Sequence, residues 1–428
     1  MANMIGAGVF TTSGFALGDL GSRSLVLLAW ALGGVLAMAG ALCYGALGRR
    51  LPVNGGEYAF LAATVHPLAG FLAGWISLLG GFTAPIAAAA LGLQTYLVGD
   101  AELDVAPEWI GSAAIAVAAL AHGVRLEEGL RLQNAAVAVK LAVLIAFVGF
   151  GGWMLASEGA GVAAGPPPPV DGSPALAFAV TLIWISYAYS GWNAAVYLGG
   201  EVRDPQRNLP RALVAGTAVV TAIYLCVNAV FVYAAPVAAL AGRADVGAVA
   251  AEALGGPALR RVLSWVIALA LFTSVSSMVL AGPRVVLRMA QDGLLPRRLA
   301  SSDPVPRRAV LLQAALAIAV VWVSELAQLL STIGFLLGLS AAATVLALLR
   351  LRAREGAALQ IPGHPWVPIA FVAATVTIAA AMAVREPLPA LVGVSIVASG
   401  LPVYGWMRWR QRSDATPGND SRREGAPS

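Results

Sequence analysis

Lys140 is the only lysine, beside 26 arginines, and only 11% of the 428 residues are charged. Soluble domains hold about 25% charged and roughly 45–50% apolar residues. Here 59% are hydrophobic, so a water-soluble multidomain chain is excluded. There are two cysteines, Cys43 and Cys226, both inside apolar runs, which rules out a disulfide framework. His66, His122 and His364 are scattered near helix ends, and no metal site is expected. The Gly55-Gly56 pair lacks the Gly-Lys-Ser/Thr pattern of a phosphate loop, which excludes ATP-driven pumping by this chain. Paired carboxylates and nucleophile–base pairs are missing at membrane depth, so neither an enzyme nor a cofactor is expected. Met1 to Phe10 has no basic leader region and does not resemble a cleavable signal peptide. The net charge of +5 needs no nucleic acid to explain it, because the positions of the charges are more informative than their sum.

Long apolar runs are abundant. A helix needs about 20 apolar residues to cross a hydrocarbon core of roughly 30 Å. Runs between charged or Pro/Gly punctuation predict helices over 1–19, 24–48, 68–99, 109–124, 131–156, 174–199, 211–235, 258–283, 307–323, 325–349, 365–384 and 387–407. The fold class is therefore an all-α membrane protein of about 12 transmembrane helices, with the lipid bilayer as one partner. The 47 glycines suit spans packed closely through small residues.

With both termini cytoplasmic, the inward loops and the C-terminal end hold 21 of the 26 arginines, among them Arg49, Arg50, Arg125, Arg131, Arg203, Arg207, Arg284 and Arg288. This positive-inside bias predicts a multi-pass protein of the cell inner (plasma) membrane in that orientation. The acidic loop Asp100 to Glu108 and the run Pro166 to Pro169 then face outward. Residues 409–428 read as a disordered cytoplasmic tail, polar and without apolar periodicity.

Two spans are interrupted. The first contains Gly6-Ala7-Gly8, and the sixth contains Tyr187-Ala188-Tyr189-Ser190-Gly191-Trp192-Asn193. Glycine tolerates irregular dihedrals, and an unwound helix leaves N–H and C=O groups that hydrocarbon cannot satisfy. A half-helix N-terminus offers amides to a carboxylate, and unwound carbonyls accept from an ammonium group. An α-amino acid presents both. The alternative is that these glycines only let helices approach each other.

The motifs also resemble a known family. Ile5-Gly6-Ala7-Gly8-Val9-Phe10 is similar to the first-helix glycine motif of the amino acid–polyamine–organocation permeases, and Tyr187 to Asn193 is similar to their sixth-helix motif. Pro52 to Tyr58, Glu201 to Pro210, and Pro283-Arg284 through Asp292 to Pro296 continue the likeness at consistent spacing. The resemblance implies a leucine-transporter-type 5+5 inverted repeat plus two C-terminal helices. The membrane unit spans 1–408, with repeats at roughly 1–156 and 174–349 and extra helices over 365–408. It further implies that amides of Ala7 and Gly8 hold the substrate carboxylate with Gly6 as hinge, and that carbonyls of Met4, Tyr187 and Ser190 hold the ammonium. Tyr187 takes the place of an aromatic gate. The candidate substrate residues are Met4, Ile5, Gly6, Ala7 and Gly8 in the first span, with Tyr187, Tyr189, Ser190 and Gly191 in the sixth. Such permeases carry about ten residues before the glycine motif and this chain carries Met1 to Ile5, so an upstream start of translation is expected, the alternative being a first helix without its inner half and an impaired inward gate.

Lys140 lies within the fifth span, where a charge costs roughly 2.5–3.5 kcal/mol on insertion scales. Snorkelling to the interface is one reading. A chain that otherwise uses arginine has instead placed here the one cation able to shed its proton. The resemblance assigns a fifth-helix lysine to the place of a sodium ion, with carbonyls near Gly6 and hydroxyls among Ser274, Ser276 and Ser277 as partners. Glu57 and Glu201 read as solvated or salt-bridged cytoplasmic loop residues, with a gating ion pair to an arginine as the sharper alternative. Trp192 and Asn193 read as packing and helix-restart residues. The expected function is sodium-independent secondary transport of amino acids, neutral ones because neither break holds an acidic side chain, by proton symport or exchange. Polyamine or cationic amino acid exchange and a transporter-derived sensor are the alternatives. No obligate protein partner is inferred.

Overall fold

The structure is a computed structural model that describes residues 4–99, 106–124, 126–157, 173–197, 199–301 and 306–415; for 123–137 and 412–415 it describes the backbone alone. The expectations for Met1, the acidic stretch 100–105, the side chains of Arg125 and Arg131, Pro166 to Pro169 and the tail beyond 415 lie outside the described residues.

The regular secondary structure of the described residues is helical, without a strand. Helix α1 spans Ala7–Leu20 and α2 spans Arg23–Arg50. Gly21 ends α1 in the left-handed conformation and returns its N–H to Leu17, and Ser22 then caps α2 by accepting from the Leu25 N–H. The short helix α3 (Gly56–Thr64) leads into the third span, Pro67–Val98, made of α4 (Pro67–Ile76), a π-helical segment Ser77–Thr83 and α5 (Ala84–Val98). The widened segment ends where Pro85 has no N–H to give, and its Gly80-Gly81 pair accepts the irregular turn. Next come α6 (Glu108–Val124), α7 (Leu126–Ser157) and α8 (Pro174–Ala188).

The seventh span is α9 (Pro205–Tyr233), followed by one turn, α10 (Val237–Leu240). Helix α11 (Val246–Gln291) is broken at Gly255-Gly256, so a short outer helix precedes the eighth span. The last four are α12 (Arg307–Val323), α13 (Leu326–Glu355), α14 (Trp366–Arg385) and α15 (Pro387–Ala415). An extended Ser324-Glu325 separates the ninth and tenth spans. Helix α15 runs past the expected end of the membrane unit at 408 and continues to Ala415.

Eight of these helices are long and apolar enough to cross a membrane, and shorter ones complete about twelve spans. Their outer faces expose large apolar side chains, such as Leu28 and Val35 on α2 and Val262 and Trp265 on α11, as contact with lipid requires. Inside, α1 packs on α8, α2 on α9, α5 on α11 and α6 on α12. These are spans one and six, two and seven, three and eight, four and nine, the pairing expected of two five-span repeats folded about a common axis.

Candidate site between the two broken helices

Both interruptions foreseen in the sequence are present, and they meet. Residues 4–6 are not helical, and α1 starts only at Ala7, with Gly6 extended. Helix α8 ends at Ala188, and 189–193 form turns in which Gly191 adopts φ 88°. The two stretches touch so closely that a Cβ on Gly8 would lie 2.4 Å from the Cα of Ala188. Only glycine permits that approach.

Neighbouring helices occupy the freed carbonyls. Lys140 on α7 donates from Nζ to the Ile5 carbonyl at 2.5 Å, and Ser274 Oγ on α11 reaches the same oxygen at 3.2 Å. Lys140 is 3% exposed, so its ammonium turns inward and does not snorkel. Tyr224 on α9 brings its hydroxyl to 2.5 Å from the Met4 carbonyl and 3.0 Å from that of Ala188, joining the two unwound ends through one group. The Tyr187 carbonyl accepts from the Ser190 N–H at 2.8 Å. The first-turn N–H groups of α1 have no preceding helical carbonyl to bond. Ser276 does not join Lys140; its hydroxyl pairs with His122 Nε2 at 2.7 Å. Ser277 donates to the Ser274 carbonyl at 3.0 Å.

A cavity of about 710 Å³ runs from the sixth-span break toward the arginine-rich loops. Of the candidate substrate and coupling residues, Tyr189, Ser190, Gly191 and Ser277 line it. Met4 to Gly8, Tyr187, Lys140 and Ser274 are buried and are not among its lining residues. The mouth carries Asn54, Glu201, Arg284 and Arg288. On the opposite side contacts among the described residues close over α1: the Gly242 N–H bonds the Gly14 carbonyl at 2.8 Å, Tyr96 Oη bonds the Phe10 carbonyl at 2.6 Å, and Arg385 pairs with Asp19 at 3.1 Å.

Two residues of the site escaped the sequence reading. Tyr224 is one aromatic among many in an apolar run. Glu57 corrects the loop assignment: it is 2% exposed, lines the cavity, and is bonded by Tyr44, Asn193 and Ser340 with no arginine among them. The expectation of a solvated or arginine-paired residue fails because α3 folds inward against α13. Asn193 is correspondingly a ligand of that carboxylate, while Trp192 packs edge-on against Tyr44.

A bundle of membrane-spanning helices with a polar interior, open on one face and sealed on the other around two broken helices, has the construction of a solute carrier. The sequence profile of the amino acid permease family matches residues 1–406, and the chain belongs to that family. It is 27% identical over 431 residues to the serine/threonine exchanger SteT of Bacillus subtilis (strain 168), covering 96% of this chain and 95% of that one. It is 28% identical over 426 residues to the human Asc-type amino acid transporter 1, covering 94% and 79%. The murine large neutral amino acids transporter small subunit 2 is 28% identical over 429 residues, covering 94% and 78%. The chain is therefore an amino acid transporter of the plasma membrane and not an enzyme.

Proposed function

We propose that this chain exchanges small neutral amino acids without sodium, with Lys140 as the built-in cation that braces the broken first span. The observation that carries the reading is the Lys140 ammonium 2.5 Å from the Ile5 carbonyl, with Ser274 on the same oxygen. A fixed ammonium there supplies the positive charge that a bound metal cation would otherwise bring to unwound carbonyls. The substrate carboxylate meets the free amides of Ala7 and Gly8, and the ammonium meets the carbonyls of Tyr187 and Ser190. Small neutral substrates are favoured by the serine/threonine exchanger and Asc-type relatives and by the absence of an acidic side chain in either break. The arginine bias of the inward loops supports cytoplasmic termini and a mouth that opens to the cytoplasm. Glu57 and Glu201 on the cavity wall favour a cationic substrate as the second reading.

Proteoliposomes loaded with unlabelled L-serine test this. Uptake of labelled serine should require internal amino acid, be indifferent to sodium, and be competed by threonine and alanine but not by arginine or putrescine. Lys140→Ala removes a charged hydrogen bond, a loss of about 1.5–3 kcal/mol that corresponds to a rate roughly ten- to a hundredfold lower. Sodium-dependent uptake, or an unaffected Lys140→Ala variant, contradicts the reading.

A further inference from the structure

Glu57 sits at the start of α3, and its carboxylate gathers donors from three separate elements. Tyr44 Oη on α2 lies at 2.6 Å, Asn193 Nδ2 at 3.0 Å and Ser340 Oγ on α13 at 2.5 Å. All three donate, and among the described residues no cation pairs with it, so the cradle is shaped for an ionised carboxylate. A carboxylic acid would force a hydroxyl to turn and would find no lone pair on the Asn193 amide nitrogen. The partners differ in kind. Tyr44 and Ser340 belong to continuous helices, whereas Asn193 belongs to the unwound stretch 189–193 of the sixth span. Glu57 and Asn193 both line the cavity, so water and protons reach the tie from its mouth.

We propose that Glu57 is a positioning residue of the transport cycle: its carboxylate ties the unwound end of the sixth span, through Asn193, to α2 and α13 and holds the cavity in its present opening, and a proton taken up there releases the tie. The inference rests on the carrier reading above. Burial pushes the Glu57 carboxyl above its ordinary range, while the hydrogen bonds from Ser340, Tyr44 and Asn193 pull it back. The tie is therefore complete at alkaline pH and lost as pH falls through the raised value. The titratable groups around it are the phenols of Tyr44 and Tyr197, and Thr344 and Ser340 on α13 are neutral. On its own helix Tyr58 is engaged by Asp292, whose other partner is Arg288. Glu201, Arg284 and Arg288 line the same cavity.

The test uses the full-length protein with Cys43 and Cys226 replaced by alanine and Ala281→Cys placed on the cavity wall. The rate of modification by a membrane-impermeant maleimide, normalised at each pH to the unfolded chain, reports the opening. At pH 8 both Glu57→Gln and Asn193→Ala should label roughly tenfold more slowly than the parent. The parent should slow on acidification, Glu57→Gln should be flat with pH, and Glu57→Asp should restore the slope. Parent-like rates and slope in Glu57→Gln overturn the proposal. Should that variant not fold, Asn193→Ala leaves the carboxylate in place, and a parent-like rate in it overturns the proposal equally. Serine exchange by the parent is measured alongside. Its absence sinks the reading as an exchanger of small neutral amino acids, whereas the labelling rates judge Glu57 by themselves.

Discussion

Lys140 and Tyr224 act on backbone atoms: each bonds a carbonyl that the broken first span leaves without a helical partner. That explains why residue types this costly persist in an apolar interior, since an unpaired buried carbonyl costs about 1–3 kcal/mol. Tyr224→Phe keeps the ring and its contacts with Trp30 and Tyr189 but removes the one hydroxyl shared by the two unwound ends. Initial rates of serine exchange should fall roughly fivefold or more, the equivalent of about one hydrogen bond, with the protein still folded. An unchanged rate would show that the bridge between Met4 and Ala188 is ornamental. Lys140 stood out in the sequence because it is unique and intramembrane. Tyr224 did not, because its meaning comes from two carbonyls more than thirty positions away.

Helix breaks are where sequence and structure agree most closely. Gly6-Ala7-Gly8 and Ser190-Gly191 mark the interruptions because glycine tolerates the irregular dihedrals of an unwound turn, a local property, although Gly33 and Gly34 stay helical in α2. Their contact is a tertiary property, and it hangs on Gly8. A side chain at this position has no flexible neighbour to displace, since the nearest atoms are the Ala188 backbone and Cβ. Gly8→Val should cost about 1–3 kcal/mol or more in overpacking and abolish exchange, while Gly18→Val further along α1, where the nearest atom is 3.1 Å away, should be milder. Thermal unfolding of both purified variants beside their exchange rates checks the contrast, and equal behaviour would count against a close junction at Gly8. The π-helical turn at Ser77–Thr83 and the inward fold of α3 were illegible by comparison. The first depends on Pro85 acting on a preceding turn, and the second on Tyr44, Asn193 and Ser340 converging on Glu57 from distant positions.

For the whole molecule, hydropathy shows most of the spans, because hydrocarbon demands a long apolar run for a crossing. The cavity and the seal opposite it are products of packing. Bonds from Gly242, Tyr96 and Arg385 close one face, while polar and charged residues ring the other. Ser276, expected beside Lys140, instead pairs with His122, since neighbouring positions on α11 point to different helices. The most direct measurement of the central claim is an experimental structure of the full-length protein with L-serine bound. The serine carboxylate should lie within hydrogen-bond distance of the Ala7 and Gly8 amides and its ammonium against the carbonyls of the sixth-span break. Serine bound elsewhere, or continuous helix through Gly8 and Gly191, would contradict it.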